Sequence, residues 1–317
     1  MKKLTWFIFP CCFTFLFFGC TAPKDTRDQD SVQYVHKYGT NITSDEWYEY
    51  GQSGQIITHL DNHIQLAESY ENGILHGDRT LSFPNDSTVE KKEVYDHGKL
   101  KKIIFYHPSN LPLSQTEFLG KSGICETKWS SKGYPHVIET YQNGKLIEGQ
   151  YFNQKGALES KVKNQSGVRM ERDFNGTLLK KEIVEDGLVT LSITFYEDLF
   201  PKTITTYDKR QIHGMRNTYL PKGEPQSQEA YSHGVLHGPA TTFSGGSPIH
   251  FISYKQGKKW GIEQIFSNEG DLIKETTWHN GIKHGPATFI QDGRETVEWF
   301  WEGEPATQVF FEQKAAS

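Results

Sequence analysis

A fixed period constrains this chain more than any other feature. Opening positions fall at Tyr48, Tyr70, Tyr95, Phe118, Tyr141, Val162, Val184, Tyr207, Tyr231, Tyr254, Trp278 and Phe300, 21 to 25 residues apart. A second ring sits near most midpoints, as in Phe83, Tyr106, Trp129, Tyr151, Phe243 and Phe289, and the next opening follows 10 to 12 residues later. Internal self-similarity of this size marks a repeat architecture, in which each unit buries its apolar face only against its neighbours. Twelve residues cannot hold a helix and its connections. They fit one strand of about six or seven residues plus a turn.

Turn chemistry at both half-periods agrees. Asn72-Gly73, Asn143-Gly144 and Asn280-Gly281 suit type I′ turns, which need φ > 0 at both central residues, and His97-Gly98, His233-Gly234 and Gln256-Gly257 fill the same slot. The alternate turns carry Pro84-Asn85-Asp86, Asn175-Gly176, Pro221-Lys222-Gly223 and Asp292-Gly293. The expected fold is therefore all-β: an elongated antiparallel β-hairpin array of about 22 strands, a meander in one open solenoid-like sheet. A closed propeller is the second choice, since two units would equal one blade of about 40–45 residues. The repeat is clearest over residues 207–303 and degraded between 118 and 190, and residues 34–69 form an irregular first unit. The tail offers one more strand at Gln308–Phe311.

The N-terminus reads as an export signal. Lys2 and Lys3 precede an apolar stretch from Leu4 to Phe18, too short for a bilayer span of about 20 residues. Gly19-Cys20 then resembles the end of a bacterial lipobox, although Phe17 and Phe18 stand where Leu and a small residue are usual. The reading is residues 1–19 as signal peptide, Cys20 as the lipidated residue (palmitate being a typical acyl group) and residues 20–33 as a polar tether. Residues 34–317 form the repeat domain. Thr21 beside the cysteine, by resemblance to Gram-negative lipoproteins, is compatible with the outer membrane.

Charge and cysteine usage narrow the partners. The formal charge is −5, and losing Lys2 and Lys3 with residues 1–19 lowers it to −7, which disfavours nucleic acid. Of Cys11, Cys12, Cys20 and Cys125, only Cys125 lies in the folded body, so neither an intramolecular disulfide nor a cysteine metal site is available there. Hydrophobic residues make up 35% and aromatics 13%, poor for a large globular core but sufficient for a thin array that stacks rings between units.

The best units, Tyr70–Gly77, Tyr231–Gly238 and Trp278–Gly285, resemble the (Y/W)xNGxxHG core of MORN repeats. The two-turn form looks like the bacterial MORN-2 variant of YwqK-type proteins, a group often described as antitoxin components. The resemblance covers about residues 47–303. It implies an extended hairpin array that serves as a binding or scaffolding surface, with no catalytic residues to carry over. The repeat positions it singles out are Tyr70, Gly73, Gly77, Tyr141, Gly144, Tyr231, Gly234, Gly238, Tyr254, Gly257, Trp278, Gly281 and Gly285.

Chemistry is sparse by comparison. No G-x-S-x-G, H-E-x-x-H, P-loop or G-x-G-x-x-G occurs. His76, His97, His213, His233, His237 and His284 each precede a glycine, and the recurring slot favours a structural role: a ring packed by its neighbours with a nitrogen bonded to turn backbone. No cofactor or metal is expected. The expected function is that of a non-enzymatic, membrane-anchored lipoprotein in the bacterial cell envelope, binding a protein partner through its repeat face. Two alternatives stand beside it: a cytosolic antitoxin-like protein, and an envelope carbohydrate binder or enzyme with its site in 118–190.

Overall fold

Alternating short runs and tight turns fold as the period predicts. The computed structural model describes residues 32–317. Within them, 66% of residues are in strands and 6% in helices, and twenty-five strands form a single open antiparallel meander. The strands run from β1 (Val32–His36) and β2 (Asn41–Ile42) to β24 (Arg294–Trp301) and β25 (Glu304–Ala306). From β3 (Gly54–His59) onward each strand pairs with the next, while β1 lies between β2 and β3. The sheet does not close, so the propeller alternative is excluded. Three more strands appear than the period alone gives, because short pairings extend both ends of the array.

Both ends depart from expectation. Tyr48, read as the opening ring of a first unit, lies in helix α1 (Ser44–Glu49) and is 67% exposed. Thr43 caps that helix by accepting from the Glu46 amide, and the Glu46 carboxylate accepts from the Thr43 amide in return. This capping box offers the backbone a local alternative to a strand. Trp47, 3% exposed, drops from α1 between Tyr34 and Tyr70 and seals the N-terminal end. At the other end the strand expected at Gln308–Phe311 is helix α2 (Gln308–Ala315), capped by Thr307. Phe310 and Phe311 pack on Trp301, and Phe311 also meets Trp299 and His284. Arrays need such caps because terminal units lack a neighbour on one side.

The middle of the sheet curls. A loop amide, Ser131 N, donates to Phe174 O at 2.7 Å, joining the β9–β10 and β13–β14 loops. Here β9 is Gly123–Trp129, β10 Pro135–Gln142, β13 Ser166–Arg172 and β14 Leu178–Glu185. In a flat sheet β10 and β13 would stand about 14 Å apart. Two features permit the bend. β12 (Leu158–Lys163) pairs with β13 at only Val162–Gly167 and Lys163–Ser166. Gly149, in β11 (Lys145–Phe152), leaves the space that the Tyr151 hydroxyl occupies. Inside the curl lies the main apolar cluster of Val137, Leu146, Tyr151, Val162 and Val184. The stretch whose repeat is most degraded is thus the best packed.

Candidate functional site

The two edges of the sheet carry different turns. Along one edge, the slots filled by Asn72-Gly73, His97-Gly98, Asn143-Gly144, His233-Gly234, Gln256-Gly257 and Asn280-Gly281 all have φ > 0 at both residues. They stack in register. The Gly98, Gly234, Gly257 and Gly281 amides donate to Leu75, Ile212, Leu236 and Lys259 carbonyls of the preceding unit at 2.7 to 2.9 Å. A histidine completes the link in four units. His76, His213, His237 and His284 accept at Nδ1 from the amides of His97, His233, Gln256 and Glu302, at 3.2 to 3.4 Å. The expected bond from histidine to turn backbone is therefore made by four of the six, while the rings of His97 and His233 meet the Asp96 and Ser232 side chains instead.

The second glycine of the unit marks a bulge. Tyr70 pairs with Leu75 while Glu68 pairs with Arg79, so three residues, His76, Gly77 and Asp78, bow out opposite Ser69 alone. The same shift recurs opposite Ala230 and Thr277. At Gly285, φ is 114° and an added Cβ would lie 3.2 Å from Thr277 Cβ, so glycine is required there. Gly77, Gly238 and Gly285 also pair directly with the next opening rings, Tyr95, Tyr254 and Phe300.

The rings do not stack as a ladder. Successive openings lie two strands apart, about 9–10 Å, beyond the roughly 4.5–7 Å of a ring pair. Instead, four tyrosines turn to a carboxylate two residues back on the same face: Tyr70 to Glu68, Tyr95 to Glu93, Tyr141 to Glu139 and Tyr231 to Glu229. The Glu-x-Tyr spacing is the one mark these pairs leave in the sequence. Two arginines reach three of these pairs. Arg79 bridges Glu68 and Glu93, and Arg169 bridges Glu139 and Glu182.

Glu139, 2% exposed, is the most enclosed of these carboxylates. It receives Tyr141 Oη at 2.6 Å, Tyr151 Oη at 2.7 Å and Arg169 Nε at 2.6 Å. Burial alone would raise its carboxyl, but the Arg169 hydrogen bonds and charge, helped by both hydroxyls, outweigh burial and hold it below the usual carboxylate range. Burial, with the Glu139 charge and hydrogen bond, pushes both tyrosine hydroxyls up. A similar knot surrounds Glu263, which meets Lys259, His250 and Trp278 Nε1.

The opposite edge has longer turns, with Gly156, Gly176 and Gly223 at left-handed φ, their amides donating three residues back at 3.0 Å. Leu199 occupies the equivalent place, with φ 66° and its amide on Tyr196 O at 3.0 Å. It is 57% exposed, and Phe200 beside it is 44% exposed. A groove runs from Leu199 to Leu178, rimmed by Lys155, Glu159, Arg172 and Glu197. Leu158 and Leu179, also exposed, lie on the same edge at the starts of β12 and β14. Sequence reasoning did not select this place, since its only mark is a leucine where neighbouring turns have glycine.

Cys20 lies outside the described residues, so the lipidation reading is not addressed by the structure. No helix among the described residues is long and apolar enough to cross a membrane. No family model matches the chain, and no curated protein does. Among solved structures it is similar to a mutant form of the Photorhabdus luminescens Tc holotoxin pore, at 13% identity and a TM-score of 0.19. That match covers 87% of this chain and spans only 17% of the other.

Proposed function

We propose that this chain is a non-enzymatic, lipid-anchored repeat lipoprotein of the bacterial cell envelope that binds a protein partner along its sheet. MORN-2-like units supply the rigid surface, and Cys20 supplies the tether. The observation that carries the binding reading is Leu199. A left-handed backbone disfavours every side chain with a Cβ, and three equivalent turns use glycine there. Strain kept where a simple substitution would relieve it points to a selected role for the side chain. With Phe200 and the mixed groove reaching Leu178, Leu199 offers an apolar anchor inside a charged rim, the anatomy of a protein-binding patch.

Two measurements test this reading. Radiolabelled fatty acid should enter the chain and be lost from Cys20→Ser; failure of the wild-type chain to label removes the anchor. Photocrosslinkers at positions 158, 179 and 199 should trap one common protein from envelope membranes. Double substitution of Leu199 and Phe200 by serine should cut that yield at least tenfold. Crosslinking spread evenly over unrelated proteins would remove the partner.

A further inference from the structure

The turn edge holds one place where three metal-ligating side chains converge. Glu71 is the last residue of β4 (Gln65–Glu71), His76 sits in the bulge of β5 (Ile74–Ser82), and His97 opens the turn after β6 (Val89–Asp96). One ligand atom from each lies within 4.8 Å of the other two. Glu71 Oε2 is 3.6 Å from His76 Nε2 and 3.8 Å from His97 Nε2. Tetrahedral zinc with bonds of about 2.0–2.1 Å sets its ligands roughly 3.4 Å apart, so small rotations bring this trio onto one ion. Among the described residues it is the only such group of three.

We propose that Glu71, His76 and His97 bind a zinc ion, leaving the fourth position to water or to a side chain of another protein. Two imidazoles and one carboxylate suit zinc better than the oxygen-seeking magnesium or calcium. Asp96 orients the ligands from behind. Its Oδ1 is 2.8 Å from His97 Nδ1, which places the Nδ1 proton on the carboxylate side and turns the Nε2 lone pair toward Glu71. His76 Nδ1 accepts from the His97 amide at 3.2 Å, so its proton is on Nε2 in the free protein. Zinc at Nε2 requires the neutral ring to carry its proton on Nδ1 instead, so binding gives up the bond from the His97 amide and leaves the Nδ1 proton facing Asp96 Oδ1 at 3.8 Å. Asp96 itself is held by Lys101 at 3.2 Å.

The repeat supplies its own control. His213 and His233 meet at a similar distance and inclination, with ring centroids 4.8 Å apart at 63° against 4.5 Å at 56° for His76 and His97. Their unit has the shorter Asp208 in place of Glu71 and Ser232 in place of Asp96. The expected site joins two successive hairpins, and its ligands are exposed enough for an ion to enter from solvent.

The test titrates zinc chloride into the mature chain and follows heat, with cobalt(II) absorption as a second readout. One equivalent should bind, and cobalt should give the intense visible bands of a tetrahedral site. His97→Ala should weaken binding at least tenfold and abolish those bands, Asp96→Asn should weaken it several-fold, and His233→Ala should leave it unchanged. Circular dichroism and melting of each variant without metal separate lost ligation from lost fold. Absence of one-equivalent binding, or equal loss from His97→Ala and His233→Ala, overturns the site.

Discussion

Glu139 shows how a single side chain can hold three strands in a thin sheet. Its carboxylate gathers Tyr141 from its own strand, Tyr151 from β11 and Arg169 from β13. Replacing it by glutamine leaves Arg169 with half its partners and is expected to cost about 2–4 kcal/mol, read from denaturant midpoints. The sign of the pH effect follows from the depressed carboxyl. Stability it contributes is complete above the unfolded value of about 4.3 and is lost as pH falls through the lower folded value. Glu93 and Glu263, also held low against their burial by neighbouring cations, act in the same direction. Stability measured from pH 7 to 3 should therefore fall at the acid end, and Glu139→Gln should flatten that fall. An unchanged slope in the variant would show that the carboxylate carries no such linkage. The Glu-x-Tyr pairs were legible as text, but the arginine that joins β10 to β13 is 30 residues distant and required the curl.

At the scale of the element, the hairpin turn is where residue choice and backbone agree or conflict. Gly281 has φ 87°, and an added Cβ would meet Lys258 at an ordinary 3.5 Å. Space is available, so Gly281→Val is expected to cost about 1–3 kcal/mol through backbone strain alone. Leu199→Gly runs the other way. It relieves the same strain in the opposite edge but adds freedom to the unfolded chain, for a net gain of about 0–1 kcal/mol. Thermal melts of the two variants should shift in opposite directions. A lower melting temperature for Leu199→Gly would mean that the leucine is packed for stability. Asn-Gly pairs announced the first edge plainly. The helices α1 and α2 were missed because short-range caps at Thr43 and Thr307 win once no further hairpin is available to pair with. Thr43-Ser44-Asp45-Glu46 did carry a readable capping-box pattern.

Across the whole molecule, contacts are local, so opening should be local too. Trp47 fills the space between Tyr34 and Tyr70 at one end only. Trp47→Ala is expected to cost about 3–5 kcal/mol at that end. Hydrogen exchange should then speed up in β1 and β3 and stay unchanged in β24. Uniform acceleration along the chain would instead mean one cooperative unit. The slowest exchange is expected in β10 to β14, where the curl buries Val137, Tyr151, Val162 and Val184. The sequence by itself determined the antiparallel meander, its period and the turn edge, because these rest on φ preferences and on neighbours about a dozen residues away. Only the tertiary structure decided the helices that cap the ends, the curl, the carboxylate knots and the place of Leu199. Those depend on which side chains meet across two or more intervening strands, and no local spacing encodes that distance.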